Sequence, residues 1–286
     1  MEKDILHEII ARKRIEIIRQ KEAVSEARLE EMLDGKITAG HSMKEALKTS
    51  PTGIIAEFKR RSPSKGWIRK EADPTEVVSR YGQAGASALS VLTDEEFFGG
   101  TLKDLHMARK AAHLPILRKD FIISRYQLLQ ARLAEADAVL LIAAALTPSF
   151  CWELADEAHK LHLEVLLEIH TEKELEHYNG SVDMVGVNNR NLGTFHTDVE
   201  NSFRMAERLP PDAIHVSESG IASPETVLRL REAGYRGFLM GEAFMKTPDP
   251  GKALSEFHQV LMEKIKKHPH QSTGLYPFSH PKNTQI

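Results

Sequence analysis

Six residues of this chain, Glu57, Lys59, Lys119, Glu168, Asn188 and Glu218, carry proton-transfer or hydrogen-bonding groups at the ends of short apolar runs. Three carboxylates, two ammonium groups and a carboxamide around one cavity could donate and remove protons, steady a developing alkoxide and hold a transient cation. The most informative run is 53–66, Gly-Ile-Ile-Ala-Glu-Phe-Lys-Arg-Arg-Ser-Pro-Ser-Lys-Gly, where an apolar strand exits through alternating charges into a turn-rich loop. Successive strand residues face opposite ways, so Glu57 and Lys59 share one face while Phe58 and Arg60 take the other. By itself this reads more readily as a strand-end ion pair with an ordinary loop than as a site. The loop Ser62-Pro63-Ser64-Lys65-Gly66 could bring hydroxyls and backbone donors toward a ligand.

The elements that must position these groups alternate regularly. Apolar runs at 53–58, 87–92, 115–118, 137–142, 163–168, 182–187, 213–218 and 236–240 read as strands. Amphipathic stretches at 74–84, 101–112, 125–134, 147–161, 171–178, 199–208, 223–233 and 250–267 read as helices. Runs such as Ala138-Val139-Leu140-Leu141-Ile142 are apolar without alternation, as strands covered on both faces are. Eight βα units over 51–267 predict a TIM (β/α)8 barrel of the α/β class. A doubly wound open sheet is the other arrangement, but no Gly-x-Gly-x-x-Gly follows the first strand. Ahead of the barrel, residues 1–50 predict a helical extension packed on it. Within that extension, Ile5, Ile9, Ile10, Ile17 and Ile18 suggest one long amphipathic helix over 1–33, and a short helical stretch begins at Ser42. Residues 268–286, rich in Pro, His, Ser and Asn, read as a disordered tail.

A barrel places its site at the carboxyl ends of its strands, and five of the eight expected strands end in the six residues named above. Ion pairing would account for two or three of them, whereas desolvating all six without a function would gain little. Ser219-Gly220-Ile221 and Met240-Gly241-Glu242-Ala243 follow the last two strands, where glycine turns and helix starts can hold a phosphate. A tight strand-to-helix turn would explain the same glycines, but their place in the last two units favours phosphate. The Glu242 carboxylate would repel a phosphate, so its backbone amide is the expected contributor. Metal chemistry has no support: His159 and His162 lack a carboxylate at ligand spacing. Cys151, the only cysteine, sits in a helical stretch beside Trp152 as a packing residue and can form no internal disulfide. The net charge of −3 is interspersed along 286 residues, so neither nucleic acid nor an anionic membrane is an expected partner. A charged start and no long apolar stretch point to the cytoplasm.

The motifs Ile54-Ile55-Ala56-Glu57-Phe58-Lys59, Ser62-Pro63-Ser64-Lys65-Gly66, Leu117-Arg118-Lys119-Asp120-Phe121-Ile122, Val187-Asn188-Asn189-Arg190-Asn191-Leu192, Ser217-Glu218-Ser219-Gly220-Ile221 and Gly241-Glu242-Ala243 together resemble the indole-3-glycerol phosphate synthase family over about residues 5–260. The sequence departs from the family at Ser124-Arg125, where Asp-Pro is frequent, and at Trp67, usually aliphatic. The resemblance implies the closure of 1-(2-carboxyphenylamino)-1-deoxyribulose 5-phosphate to an indole with loss of carbon dioxide and water. It implies catalytic roles for Glu57, Lys59, Lys119, Glu168, Asn188, Glu218 and Ser219, and substrate contacts from Ser62, Phe121, Arg190 and Leu192. Lys65, Gly220, Gly241 and Glu242 would bind the phosphate. Lys119 would protonate the ketone oxygen, Glu168 steady the cationic ring, Lys59 and Asn188 hold the carboxylate, Glu57 and Lys59 serve the dehydration, and Glu218 hold sugar hydroxyls and the lysines. No cofactor or metal is expected, and a monomer is. Two other readings fit less well: phosphoribosylanthranilate isomerase, which would want a cysteine and an aspartate at strand ends whereas Cys151 falls in a helical stretch, and a barrel that binds a phosphorylated metabolite without catalysis, which the presence of Lys119 and Glu168 argues against.

Overall fold

Eight parallel strands pair in chain order and the last returns to the first, so the barrel has no open edge. They are β1 (Ile54–Phe58), β2 (Ala88–Leu92), β3 (Ile116–Lys119), β4 (Ala138–Ile142), β5 (Glu164–Ile169), β6 (Met184–Asn188), β7 (Ile214–Glu218) and β8 (Gly237–Met240). Each lies within two residues of its expected span. The computed structural model describes residues 5–35, 38–191 and 193–267, so the expected tail at 268–286 lies outside the described residues. The TIM barrel expectation holds, and the open sheet is excluded by the β1–β8 pairing of Ile54 with Phe238 and Ala56 with Met240.

The barrel helices start where their sequences say they should. Asp73-Pro74, Thr147-Pro148 and Ser223-Pro224 each open a helix, the first residue accepting a backbone N–H with its side chain and the proline filling a position that needs no donor. Two expected helices are tighter than foreseen. Residues 171–178 form only a 3-10 turn, Glu172–His177, opened by a capping box in which the Glu174 carboxylate accepts from the Thr171 N–H. Residues 199–208 form a short α-helix, Glu200–Met205, followed by a 3-10 turn, Ala206–Arg208.

The long N-terminal helix is corrected to two, α1 (Ile5–Ala23) and α2 (Glu26–Leu33). Ser25 between them is extended and its hydroxyl accepts from the Arg28 N–H, which starts a new helix. The buried face of α1 is Leu6, Ile9, Ile10, Lys13 and Ile17, while Ile18 is left in solvent. The extension spans the barrel from end to end. α1 borders the carboxyl mouth through Ile5, Leu6 and Ile9. α2 lies along the helix Arg125–Leu133, where Arg125, the residue that departs from the family pattern, bridges Glu26 and Glu30 of α2 to Glu157 of the next barrel helix. α3 (Met43–Thr49) plugs the opposite end: Met43 and Leu47 are fully buried, and Ser42 and Lys44 bind the Glu164 carboxylate at the start of β5.

Inside the barrel, Ile55, Leu117, Leu166 and Val216 belong to one apolar layer, each contributing roughly 1.5–3 kcal/mol through burial. Two residues further along the same strands, and so on the same face, stand Glu57, Lys119, Glu168 and Glu218. The fold thus lays a charged ring on an apolar floor.

Two glycines in left-handed backbone separate strain from collision. Gly35 has φ +66° with open space where a side chain would sit, whereas at Gly53, φ +65°, a Cβ would fall 1.9 Å from the Arg236 carbonyl oxygen. Gly35→Ala should therefore cost only the left-handed penalty of about 1–2 kcal/mol. Gly53→Ala should cost more, because β1 must also shift away from β8. Urea unfolding midpoints measure the difference, and equal losses at the two sites would show that the closing contact yields easily.

Candidate active site

The floor and the ring together shape a cavity of about 340 Å³ at the carboxyl ends of the strands. Lys119, at the end of β3, sets its electrostatics. Its Nζ lies 3.0 Å from Glu168 Oε2 and 3.6 Å from Glu218 Oε2. Burial alone would lower the ammonium pKa, but Glu168, Glu218 and Glu57 outweigh it and hold the pKa above the ordinary lysine value. The two carboxyls are not equivalent. Glu168 is the closer one, and its Oε1 also accepts from Asn188 Nδ2 at 3.0 Å with His170 Nε2 3.7 Å away. Burial pushes Glu168 up, yet Lys119, His170 and Asn188 pull it below the usual carboxylate range. Glu218 has only the longer contact and a buried Oε1 without a partner. Burial, opposed by Lys119 and reinforced by Glu168 and Glu57, pushes it up to about 8. Glu218 therefore keeps a proton at neutral pH while Glu168 stays ionised.

Backbone shape makes room for these carboxylates. A Cβ at Gly186 would sit 2.2 Å from Glu218 Oε1, and one at Gly241 would sit 2.5 Å from Glu57 Oε1. Glu57 Oε1 pairs with Lys59 Nζ at 2.7 Å on the shared face that strand alternation requires. Arg60 turns outward, as expected, and forks onto Asp104 at 2.6 and 2.9 Å.

Glu57, Lys59, Ser62, Lys119, Phe121, Glu168, Asn188, Arg190, Glu218, Ser219, Gly220, Gly241 and Glu242 are all brought to this one mouth. Lys65 is not: it stands exposed at the tip of a hairpin pairing Arg61 with Trp67, away from the lining. Leu192 lies outside the described residues. Arg190 joins the loops after β1, β6 and β8, donating to Ser64 Oγ at 2.7 Å and approaching Glu242 Oε2 at 3.4 Å. Ser219 and Gly220 both have positive φ, +67° and +77°, so the chain turns sharply at the exit of β7. Asn189 braces this turn by donating to the Ser219 carbonyl at 3.0 Å.

Sequence reasoning missed the apolar side of the cavity, formed by Ile5, Leu6 and Ile9 of α1 with Phe98, Leu140 and Ile142. It also missed Lys246 near the last loop and His170 beside Glu168. Strand parity signals Leu140 and Ile142; nothing local signals Phe98. Trp67 is half exposed between Arg61 and Lys70, each 5.6 Å from its ring, and braces the first loop without entering the cavity. Cys151 is buried in the helix Pro148–Lys160, and burial pushes its thiol up to about 12, so no strand-end cysteine serves an isomerase. Among the described residues no cluster of three metal-ligating side chains occurs, and no helix is long and apolar enough to cross a membrane.

The family model of indole-3-glycerol phosphate synthase matches residues 6–257. A protein of Bacteroides thetaiotaomicron described as indole-3-glycerol phosphate synthase is 63% identical over 259 residues, covering 91% of this chain and 99% of its own. Among solved structures, the tryptophan synthase α subunit of Legionella pneumophila aligns with a TM-score of 0.58 at 13% identity, covering 80% of this chain and all of its own. The 3-hexulose-6-phosphate synthase of Salmonella typhimurium aligns with a TM-score of 0.58 at 13% identity, covering 74% and 99%. At such identities these structures share the barrel fold alone.

The uneven carboxyls give a pH signature. Below about 4.5 both folded and unfolded states protonate Glu218, and between there and about 8 only the folded state does, so stability drains away as pH rises through that window. His170 acts in the same direction: its folded pKa is raised despite burial, by Glu174 and Glu168, so its contribution is full below 6.5 and lost above its folded value. Comparison with Glu218→Gln separates the two. The variant's gain in melting temperature over the unaltered protein should grow from pH 5 to pH 8, and a gain that is flat with pH would mean that Glu218 is ionised in the fold.

Proposed function

The chain belongs to the indole-3-glycerol phosphate synthase family, and from that membership we propose how the charges of its mouth share the family's reaction. The enzyme is a carbon–carbon lyase of tryptophan biosynthesis, closing 1-(2-carboxyphenylamino)-1-deoxyribulose 5-phosphate to indole-3-glycerol phosphate with loss of carbon dioxide and water. The observation that carries the division of roles is the Lys119 ammonium on an apolar floor, 3.0 Å from Glu168, which its partners hold toward the ionised form, and 3.6 Å from Glu218, which burial pushes toward the protonated one.

In this reading the aromatic ring lies on the apolar side, against Phe98 and Phe121, and Lys59 and Asn188 hold its carboxylate. The phosphate lies by the loops after β7 and β8, near the backbone of Gly220, Gly241 and Glu242 and the Arg190 guanidinium. The ring carbon bearing the carboxylate attacks the ketone, and Lys119 protonates the oxygen as it becomes an alkoxide. A lysine of raised pKa remains a competent donor here, because an alkoxide is far more basic: even water has a pKa of about 15.7. The ring is left with positive charge, which Glu168 steadies from below. Carbon dioxide then departs, and its bonding electrons neutralise the ring. Finally Lys59 protonates the leaving hydroxyl while Glu57 takes the proton from nitrogen, expelling water and completing the indole. Glu218 and Ser219 hold the sugar hydroxyls. We place this monomeric enzyme in the cytoplasm, its phosphorylated substrate being its partner.

Single-turnover measurements that follow labelled carbon dioxide together with indole fluorescence test the two lysines' roles. Lys119→Met should give neither signal. Glu57→Gln should release carbon dioxide first and indole after a lag, since general acid–base steps are each worth roughly 10²–10⁴-fold. Simultaneous, merely slowed release in both variants would sink this assignment.

A further inference from the structure

We propose that Lys13, on α1, is a positioning residue for the aromatic wall of the cavity: one buried ammonium sets where Phe98 and Phe121 stand. Its Nζ lies 2.9 Å from Asp94 Oδ2, 3.0 Å from Asp120 Oδ1 and 2.8 Å from Glu16 Oε2, and the side chain is 1% exposed. Each of the two aspartates then organises one loop. Asp94 caps the short helix Glu95–Phe98, its Oδ1 accepting the Phe97 N–H at 2.8 Å. Asp120 accepts the Phe121 N–H at 2.8 Å through the same Oδ1 that Lys13 holds, while its Oδ2 takes Thr93 Oγ1 at 2.6 Å and Arg118 at 2.9 Å. The two loops meet in the cavity wall, where the Phe98 and Phe121 rings pack with centroids 6.0 Å apart.

The logic is geometric. The loops after β2 and β3 are joined at their bases by the Thr93 N–H to the Lys119 carbonyl at 3.1 Å and by Thr93 Oγ1 to Asp120 Oδ2 at 2.6 Å, and both also end on one cation from a third element. Desolvated as it is, that cation cannot leave Asp94 without leaving a buried carboxylate uncompensated, whereas Asp120 would keep Arg118 at 2.9 Å. Ring placement in the wall is thereby tied to the docking of α1, whose Leu6 and Ile9 line the same cavity.

The inference rests on the reading that this wall receives the substrate's ring, and the test separates the two. Binding of 2-aminobenzoate, the aromatic half of the substrate, is measured by its fluorescence, and inorganic phosphate is measured as a competitive inhibitor. Lys13→Met, first shown to be folded by its near-ultraviolet circular dichroism, should weaken 2-aminobenzoate about five- to tenfold, the scale of one aromatic pairing, and leave the phosphate inhibition constant unchanged. Asp94→Asn, which keeps an acceptor for the Phe97 N–H and removes one charge that Lys13 grips, should give a smaller loss of the same selectivity. Introducing Lys13→Met into Phe98→Ala should cost little more, because the wall it positions is already gone. Equal weakening of both probes, or a full additional loss in the Phe98→Ala background, would reduce Lys13 to a general stabiliser and overturn the inference. If Phe121→Ala weakens 2-aminobenzoate while Lys13→Met does not, the inference alone fails. If Phe121→Ala has no effect, the reading of the wall fails and the inference with it.

Discussion

Gathering two lysines and three glutamates at the dry end of a barrel is tolerable only if every charge finds a partner and the surplus is neutralised. The mouth meets that condition with two ion pairs, Glu57 with Lys59 and Glu168 with Lys119, and a fifth group, Glu218, that takes up a proton. Desolvation strengthens each pairing and at the same time forbids a third free carboxylate. Chemical asymmetry follows from this constraint: one carboxyl is an anion, able to face positive charge, and another is an acid with a proton to share.

The same rule governs how the extension is fastened. α1 sends a lysine, not another apolar residue, into its interface with the barrel, and two buried aspartates meet it. Arg125 meets three glutamates at the more exposed contact of α2. A desolvated ion pair adds little net stability but is intolerant of misplacement, so contacts of this kind fix where a helix docks more than how tightly. Apolar packing by Met43 and Leu47 at the other end supplies adhesion without that demand.

Much of the molecule was legible because its strands are apolar runs ended by charge, and parity along a strand is a rigid rule. Glu57 and Lys59 could be placed on one face from two positions in the sequence, and the amphipathic stretches read from 74, 147 and 223 begin within a residue of their helices. The failures have physical causes. Lys13 occupies a position on the apolar stripe of α1 where a lysine reads as helix surface; its partners lie some eighty and more than a hundred residues away. The break at Ser25 looked like helix because a serine costs little there until its hydroxyl finds an N–H. Phe98 stands in a four-residue helix too short to show a period. Lys65 matched a motif by position, yet hairpin pairing carries it to the surface. Sequence pattern records which face a residue takes within its own element, and not which distant element it will meet.

Closure of the barrel between its first and last strands also bears on how the protein comes into being on the ribosome. β1 is made early, with Glu57 on it and Lys59 just past its end, but its second neighbour, β8, begins only at Gly237. Until then the first strand has an unsatisfied edge, and Glu57 lacks the Gly241 backbone that stands against it in the finished mouth. No nascent fragment short of β8 can present the whole charged ring. The chain therefore makes a working site and a closed hydrogen-bonding perimeter at the same moment, so a prematurely ended product is both inactive and left with an adhesive strand for quality control to find.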